Sequence, residues 1–172
     1  MEETKTTSHI KAGLMISAVI IVLSLVLSVL GAGGTIGRGF HAFLIIGAGL
    51  VYFINRYAKD NNFNKSFGEL FTYGFKTTSI FTLVFILFVI AFSIMDPDTK
   101  KQFLDLTRTE LERKNMTDSE IDTYMSFLDK YYLIVMAGGT LLSYIVIGAI
   151  GSLLGAAITK KNPPNPMDQF NS

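Results

Sequence analysis

The apolar positions of this chain fall into long unbroken runs, and its charged positions into blocks between them. No charged residue occurs from Ala12 to Gly37, Gly39 to Asn55, Thr77 to Met95 or Tyr131 to Thr159. A helix on the surface of a soluble fold carries charge every few residues, whereas one apolar all round is built for lipid or a deep core. Roughly 20 apolar residues, rising about 1.5 Å each, cross a hydrocarbon layer of about 30 Å. The pattern therefore predicts four transmembrane helices, at 12–30, 36–57, 77–95 and 131–158. The first has only Ser17, Ser24 and Ser28 as hydroxyls, each able to return its proton to a carbonyl one turn back. The second is the weakest, with Arg38 and His41 near its start and Gly47 and Gly49 inside. Asp96-Pro97-Asp98 stops the third. The fourth is longer than a span requires and must tilt, bend or protrude.

The polar pieces have patterns of their own. Residues 1–11 form a leader with Lys5 and Lys11, and the apolar run that follows is too long for the core of a cleaved signal peptide. In 61–76, Phe63, Phe67, Leu70, Phe71 and Phe75 recur at helical spacing, which predicts an amphipathic helix at the membrane surface. The charged segment 96–130 predicts a helical hairpin outside the membrane. Asp98 is positioned to cap a first helix running to about Lys114, with Arg108/Glu112 and Glu110/Lys114 as i,i+4 pairs. Thr117-Asp118-Ser119-Glu120 has the form of a capping box for a second. Beyond it Ile121, Tyr124, Met125, Leu128 and Tyr132 share one face. That face either docks a partner, through Tyr124, Met125 and Leu128, or packs on the preceding helix. The tail 159–172 holds three of the four prolines and is expected to be disordered.

Charge adds sidedness. The chain has 15 Lys and Arg against 14 Asp and Glu, a net charge of +1 that gives no reason to expect nucleic acid binding. Four spans put both termini on one face, together with Lys5, Lys11, Arg56, Lys59, Lys65, Lys76, Lys160 and Lys161. The opposite face carries Arg38 and a hairpin whose bases are diluted among acids. The positive-inside tendency then makes both termini cytoplasmic. The absence of cysteine removes disulfides, thiolate catalysis and cysteine metal sites.

Chemistry is harder to find. The only histidines are His9 and His41, and no Asp or Glu falls inside a predicted span, where a proton-coupled carrier keeps its relay. Arg38 and His41 lie three apart, either contacting an anionic headgroup or snorkelling to the interface. The glycines at 31, 33, 34, 37 and 39 fit no phosphate-loop spacing and are explained by a tight turn. The strongest signal is Gly151-Ser152-Leu153-Leu154-Gly155, a G-x-x-x-G that with Gly148 makes a small-residue stripe on the fourth span. Small side chains let helix backbones approach, either between copies of the chain or within one.

Several segments carry a family resemblance: Asn64-Lys65-Ser66-Phe67-Gly68-Glu69-Leu70-Phe71-Thr72-Tyr73-Gly74-Phe75, the Asp96-Pro97-Asp98 exit, and Asn115-Met116-Thr117-Asp118-Ser119-Glu120-Ile121. With the small-residue last span ending at Lys160-Lys161, the chain resembles the small Bacteroidetes-type membrane proteins of domain-of-unknown-function family 4199. The resemblance implies a four-helix inner-membrane protein and carries no site residues. The expectation is an all-α integral membrane four-helix bundle with a short extramembrane hairpin between its third and fourth spans. No enzymatic activity, cofactor or metal is expected. The expected role is a structural or interaction component, with the bilayer, a second copy or a membrane protein as partner; the alternative is a small oligomeric permease or channel.

Overall fold

The computed structural model describes residues 7–30 and 35–162, the side chains at 28 and 35–41 excepted. Six helices follow in order: α1 (His9–Val29), α2 (Thr35–Asp60), α3 (Phe67–Met95), α4 (Pro97–Arg113), α5 (Asp118–Lys130) and α6 (Tyr132–Ile158). No strand occurs among the described residues. The described residues divide into two compact units, one within Met1–Val84 and Ser143–Ser172, the other Phe85–Leu142.

Among the described residues, three helices are long and apolar enough to cross a membrane: His9–Leu27, Phe67–Met95 and Tyr132–Ile158. Their exposed surfaces carry large apolar side chains, among them Val22, Leu83, Leu142 and Leu153, a distribution that water disfavours and lipid accepts. Several hydroxyls in these helices, and that of Thr159 just past α6, return their protons to carbonyls one turn back. Ser17 donates to Gly13 (2.8 Å), Thr77 to Tyr73 (2.9 Å) and Thr159 to Gly155 (2.7 Å). The helix α2, expected as a fourth span, is not among the three. Arg56, Lys59 and Asp60 crowd its end, and glycines dilute its middle.

In the first unit α2 nevertheless buries one full face. Ile46, Leu50, Ile54 and Ala58, at steps of four, are fully buried. Glycines on the neighbouring helices make room for them. A Cβ at Gly151 would come within 2.9 Å of Leu50, one at Gly155 within 2.6 Å of Ile54, and one at Gly148 would collide with Thr78 of α3. Gly74 of α3 lies against Ile54 and Ser152, and Gly13 of α1 against Ile80. The stripe Gly148, Gly151, Ser152, Gly155 therefore packs within the chain.

The segment 61–76 differs from the single surface helix expected there. Asn62 and Phe63 adopt left-handed φ values of 54° and 59°, closing a turn after α2. Ser66 then begins α3: its N–H donates to the Glu69 carboxylate (2.9 Å) and the Glu69 N–H donates to the Ser66 hydroxyl (3.3 Å). This reciprocal capping divides the segment into a turn and the first turns of α3.

In the second unit α4 and α5 form the expected hairpin. Its first cap is Asp96 with Pro97 at the first helical position, two residues earlier than the expected Asp98, because proline's fixed φ and missing N–H suit that place. Arg108 pairs across the hairpin with Asp122 (3.0 Å), and within α4 Arg113 pairs with Glu110 three residues back (2.8 Å), in place of the expected i,i+4 pairs. Lys100 bridges to Asp129 (2.8 Å), and Leu111, Ile121 and Leu128 are buried. The Thr117–Glu120 capping box forms as read, and the bonds from Thr117 hold the Glu120 carboxyl below its usual pKa.

Two predictions follow from packing and capping. Gly148→Ala should lower stability by about 1–3 kcal/mol through overpacking, whereas Gly138→Ala, which meets nothing within 4 Å, should leave it unchanged or raise it; thermal unfolding in detergent separates them. Glu120 has a folded pKa below its unfolded one, so its contribution is present above the ordinary carboxylate range and lost as pH falls through the folded value. Amide exchange at the start of α5 should accelerate on acidification in that window, and Glu120→Gln should remove most of the pH dependence.

Candidate functional site

The polar chemistry of the first unit gathers where α1 begins, α2 ends, α3 begins and α6 ends. Three stretches distant in sequence, the start of α1, the α2–α3 connection and the residues after α6, are tied together there. The Thr7 N–H donates to the Asp60 carboxylate (3.2 Å), and the Tyr73 hydroxyl donates to the Thr7 carbonyl (2.9 Å). Tyr73 stacks on Tyr57 at 4.1 Å with the rings 8° from parallel. After α6, Asn162 clasps the α2–α3 turn. Its backbone N–H donates to the Phe63 carbonyl (2.9 Å), and its side-chain amide donates to the Asn62 carbonyl (2.7 Å). Both carbonyls belong to the left-handed turn after α2, outside its helical ladder. Lys161 lies over the Phe67 ring at 5.8 Å.

Beside this junction a cleft of about 700 Å³ opens between the start of α1 and the first turns of α3. Ser8 and His9 line one wall, and Glu69, Thr72 and Lys76 the other. Glu69 is engaged by Lys65 (2.7 Å) as well as by Ser66, and this bond raises the Lys65 ammonium above its usual pKa. Lys76 has no carboxylate within salt-bridge distance among the described residues. The described residues contain no group of three or more His, Asp or Glu able to hold a metal ion.

The residues singled out from the sequence separate. Gly148, Gly151, Ser152 and Gly155 come together as an internal seam. Tyr124, Met125 and Leu128 do not make one presented surface. Leu128 is buried (3% exposed), Met125 is half-buried, and only Tyr124 is exposed. The reason is angular: Ile121 and Leu128, seven apart, both point into the hairpin and leave Tyr124 at its margin. The exposed ridge is instead Tyr124, Phe127 and Tyr131, with Phe127 and Tyr131 rings 5.0 Å apart. Arg38 and His41 lie in α2, and their side chains fall outside the described residues. Sequence reasoning missed the cleft and the Asn162 clasp. The Ser66-x-x-Glu69 pattern was the one local signal for where α3 begins.

Over residues 11–161 the sequence matches the family described as "Protein of unknown function (DUF4199)". The chain belongs to that family. No curated protein and no solved structure matches it. The match covers the six described helices of this DUF4199 protein except the first two residues of α1, so the seam, the hairpin and the α3 wall of the cleft lie within the family's span, while Ser8 and His9 of the α1 wall precede it.

The clasp generates a test. Asn162→Ala keeps the backbone bond and removes the side-chain ones, a loss of about 1 kcal/mol. It should lower the thermal midpoint in detergent and open the 61–66 turn to proteolysis.

Proposed function

We propose that this DUF4199 protein is an integral protein of a bacterial inner membrane that crosses the bilayer four times, with both termini cytoplasmic, and serves as a non-enzymatic structural or interaction component. Closed packing carries this reading. The glycines that a pore or a self-assembling surface would use are filled by the chain's own Leu50, Ile54 and Thr78. This leaves the bilayer, the polar junction of the first unit and the hairpin as the surfaces that meet other molecules. The exposed side of α2 carries Phe43, Leu44 and Tyr52, a composition suited to lipid contact, and its charged end matches a headgroup region.

A second reading has an observation of its own. Thr77, Thr78, Thr82 and Ser152 bury hydroxyls among the helices, and those of Thr82 and Ser152 have no hydrogen-bond partner. An unpartnered buried hydroxyl costs about 1–3 kcal/mol, and a water or a polar solute would relieve it. This favours a small permease as the alternative.

The native mass and composition of the complex, extracted gently from its own membrane, separate the two. The proposed function predicts a stoichiometric second protein whose association weakens at least tenfold when Tyr124 and Phe127 are both changed to Ser. A homo-oligomer alone, passing solutes into liposomes and losing that activity in Ser152→Val, would replace it with the permease.

A further inference from the structure

We propose that the cleft between the start of α1 and the first turns of α3 is a binding site for a phosphate group, supplied in the membrane by an anionic phospholipid headgroup. The inference rests on reading α1 and α3 as spans for the source of the phosphate, though not for the cleft's chemistry. Glu69, Thr72 and Lys76, at i, i+3 and i+7, share one face of α3 and form one wall. Ser8 and His9 at the start of α1 form the other, offering a hydroxyl and an imidazole N–H. The walls are fixed from behind by the Tyr73–Thr7 bond and by the Tyr57–Tyr73 stack. A site held by its own hydrogen bonds needs little ordering when a ligand arrives.

Charge inside the cleft is one-sided. Its single carboxylate, Glu69, is neutralised by Lys65 at 2.7 Å and accepts from the Ser66 N–H and hydroxyl at 2.9 and 3.0 Å. The Lys76 ammonium is left without a carboxylate among the described residues. Two helices, α1 and α3, begin at the cleft, and each start already faces a carboxylate, Asp60 at Thr7 and Glu69 at Ser66, so the charge left uncompensated on the cleft wall is that of Lys76. Above Gly68 there is open space for at least 4 Å, which leaves backbone near the start of α3 uncovered.

Depth selects the ligand. Lys76 is the last charged residue before the uncharged run Thr77–Met95, so its ammonium lies at the edge of the hydrocarbon layer, where lipid phosphates are found. The cleft volume of about 700 Å³ exceeds what an inorganic phosphate fills and suits a glycerophosphate headgroup.

The test uses the full chain, delipidated in neutral detergent, and native mass spectrometry with three probes: short-chain phosphatidylglycerol, short-chain phosphatidylcholine and inorganic phosphate. Phosphatidylglycerol should bind saturably at one per chain and more tightly than phosphatidylcholine. Lys76→Gln should weaken it about tenfold, as loss of a charge-assisted bond does, and Lys76→Arg should restore it. Lys160→Gln, which removes the same charge outside the cleft, should stay within about twofold of wild type. Should Lys76→Gln fail to fold, Thr72→Val, expected to weaken binding severalfold, takes its place. Displacement of the lipid by inorganic phosphate at comparable concentration would support the site and make its ligand a soluble phosphate. Equal phosphatidylglycerol binding by wild type, Lys76→Gln and Thr72→Val, or no saturable binding of any probe, overturns the proposal. Release of the chain from carbonate-washed membranes would instead sink the membrane reading, and the inorganic phosphate titration would still decide the cleft.

Discussion

Close approach of helix backbones at glycine is the interaction on which the first unit depends. Lipid tails are as apolar as leucine, so helices in a bilayer gain little from hiding apolar surface and must gain contact instead. Gly13, Gly74, Gly148, Gly151 and Gly155 each remove a side chain where a neighbouring helix supplies one: Ile80, Ile54, Thr78, Leu50 and Ile54 again. Ile54 thus fills two of the gaps, on α3 and on α6, and ties α2 to both. The same packing explains how α2 tolerates its glycines and terminal charges. Its fully buried Ile46, Leu50, Ile54 and Ala58 are held by neighbours rather than by its own hydropathy.

The polar junction follows from that arrangement. Once the helices are packed, the start of α1, the α2–α3 turn and the residues after α6 are held within hydrogen-bonding range of one another. Thr7, Asp60, Tyr73 and Asn162 convert this proximity into specific bonds. The Ser66–Glu69 cap has a double effect there. It starts α3 and occupies the one carboxylate of the cleft, leaving Lys76 to set the local charge. The second unit solves a different problem. Its hairpin has a small core of Leu111, Ile121 and Leu128, with ion pairs Lys100–Asp129 and Arg108–Asp122 across it.

Local features were legible in the sequence, and long-range ones were not. The runs containing α1, the later part of α3 and α6 stand out because lipid demands unbroken apolarity, and the Thr117–Glu120 box because its partners are three residues apart. The same signal at Ser66–Glu69 was masked by five apolar residues at helical spacing, so turn and helix start read as one surface helix. The small-residue stripe on α6 was visible, but nothing in it says which helix fills it; Leu50 and Ile54 lie about a hundred residues away. The Asn162 clasp spans 100 residues to Asn62 and depends on left-handed backbone at Asn62, which asparagine tolerates, and at Phe63, which gives no local sign of it. Leu128 illustrates the limit of a face read from periodicity. A shared apolar face identifies what is buried as readily as what is presented.

On the proposed reading α2 is a fourth span, held in the bilayer by the glycines around it, and the placing of both termini on one face depends on this. The chain has no cysteine, so a single introduced one reports without background. Ala48 lies mid-way along α2 on its exposed side. The direct measurement is the accessibility of Ala48→Cys in sealed vesicles, by membrane-impermeant maleimide from either face and by a nitroxide label's collisions with oxygen. A fourth span predicts no maleimide labelling from either side and strong oxygen collision. Ready labelling by the impermeant reagent would place α2 in water and contradict the account.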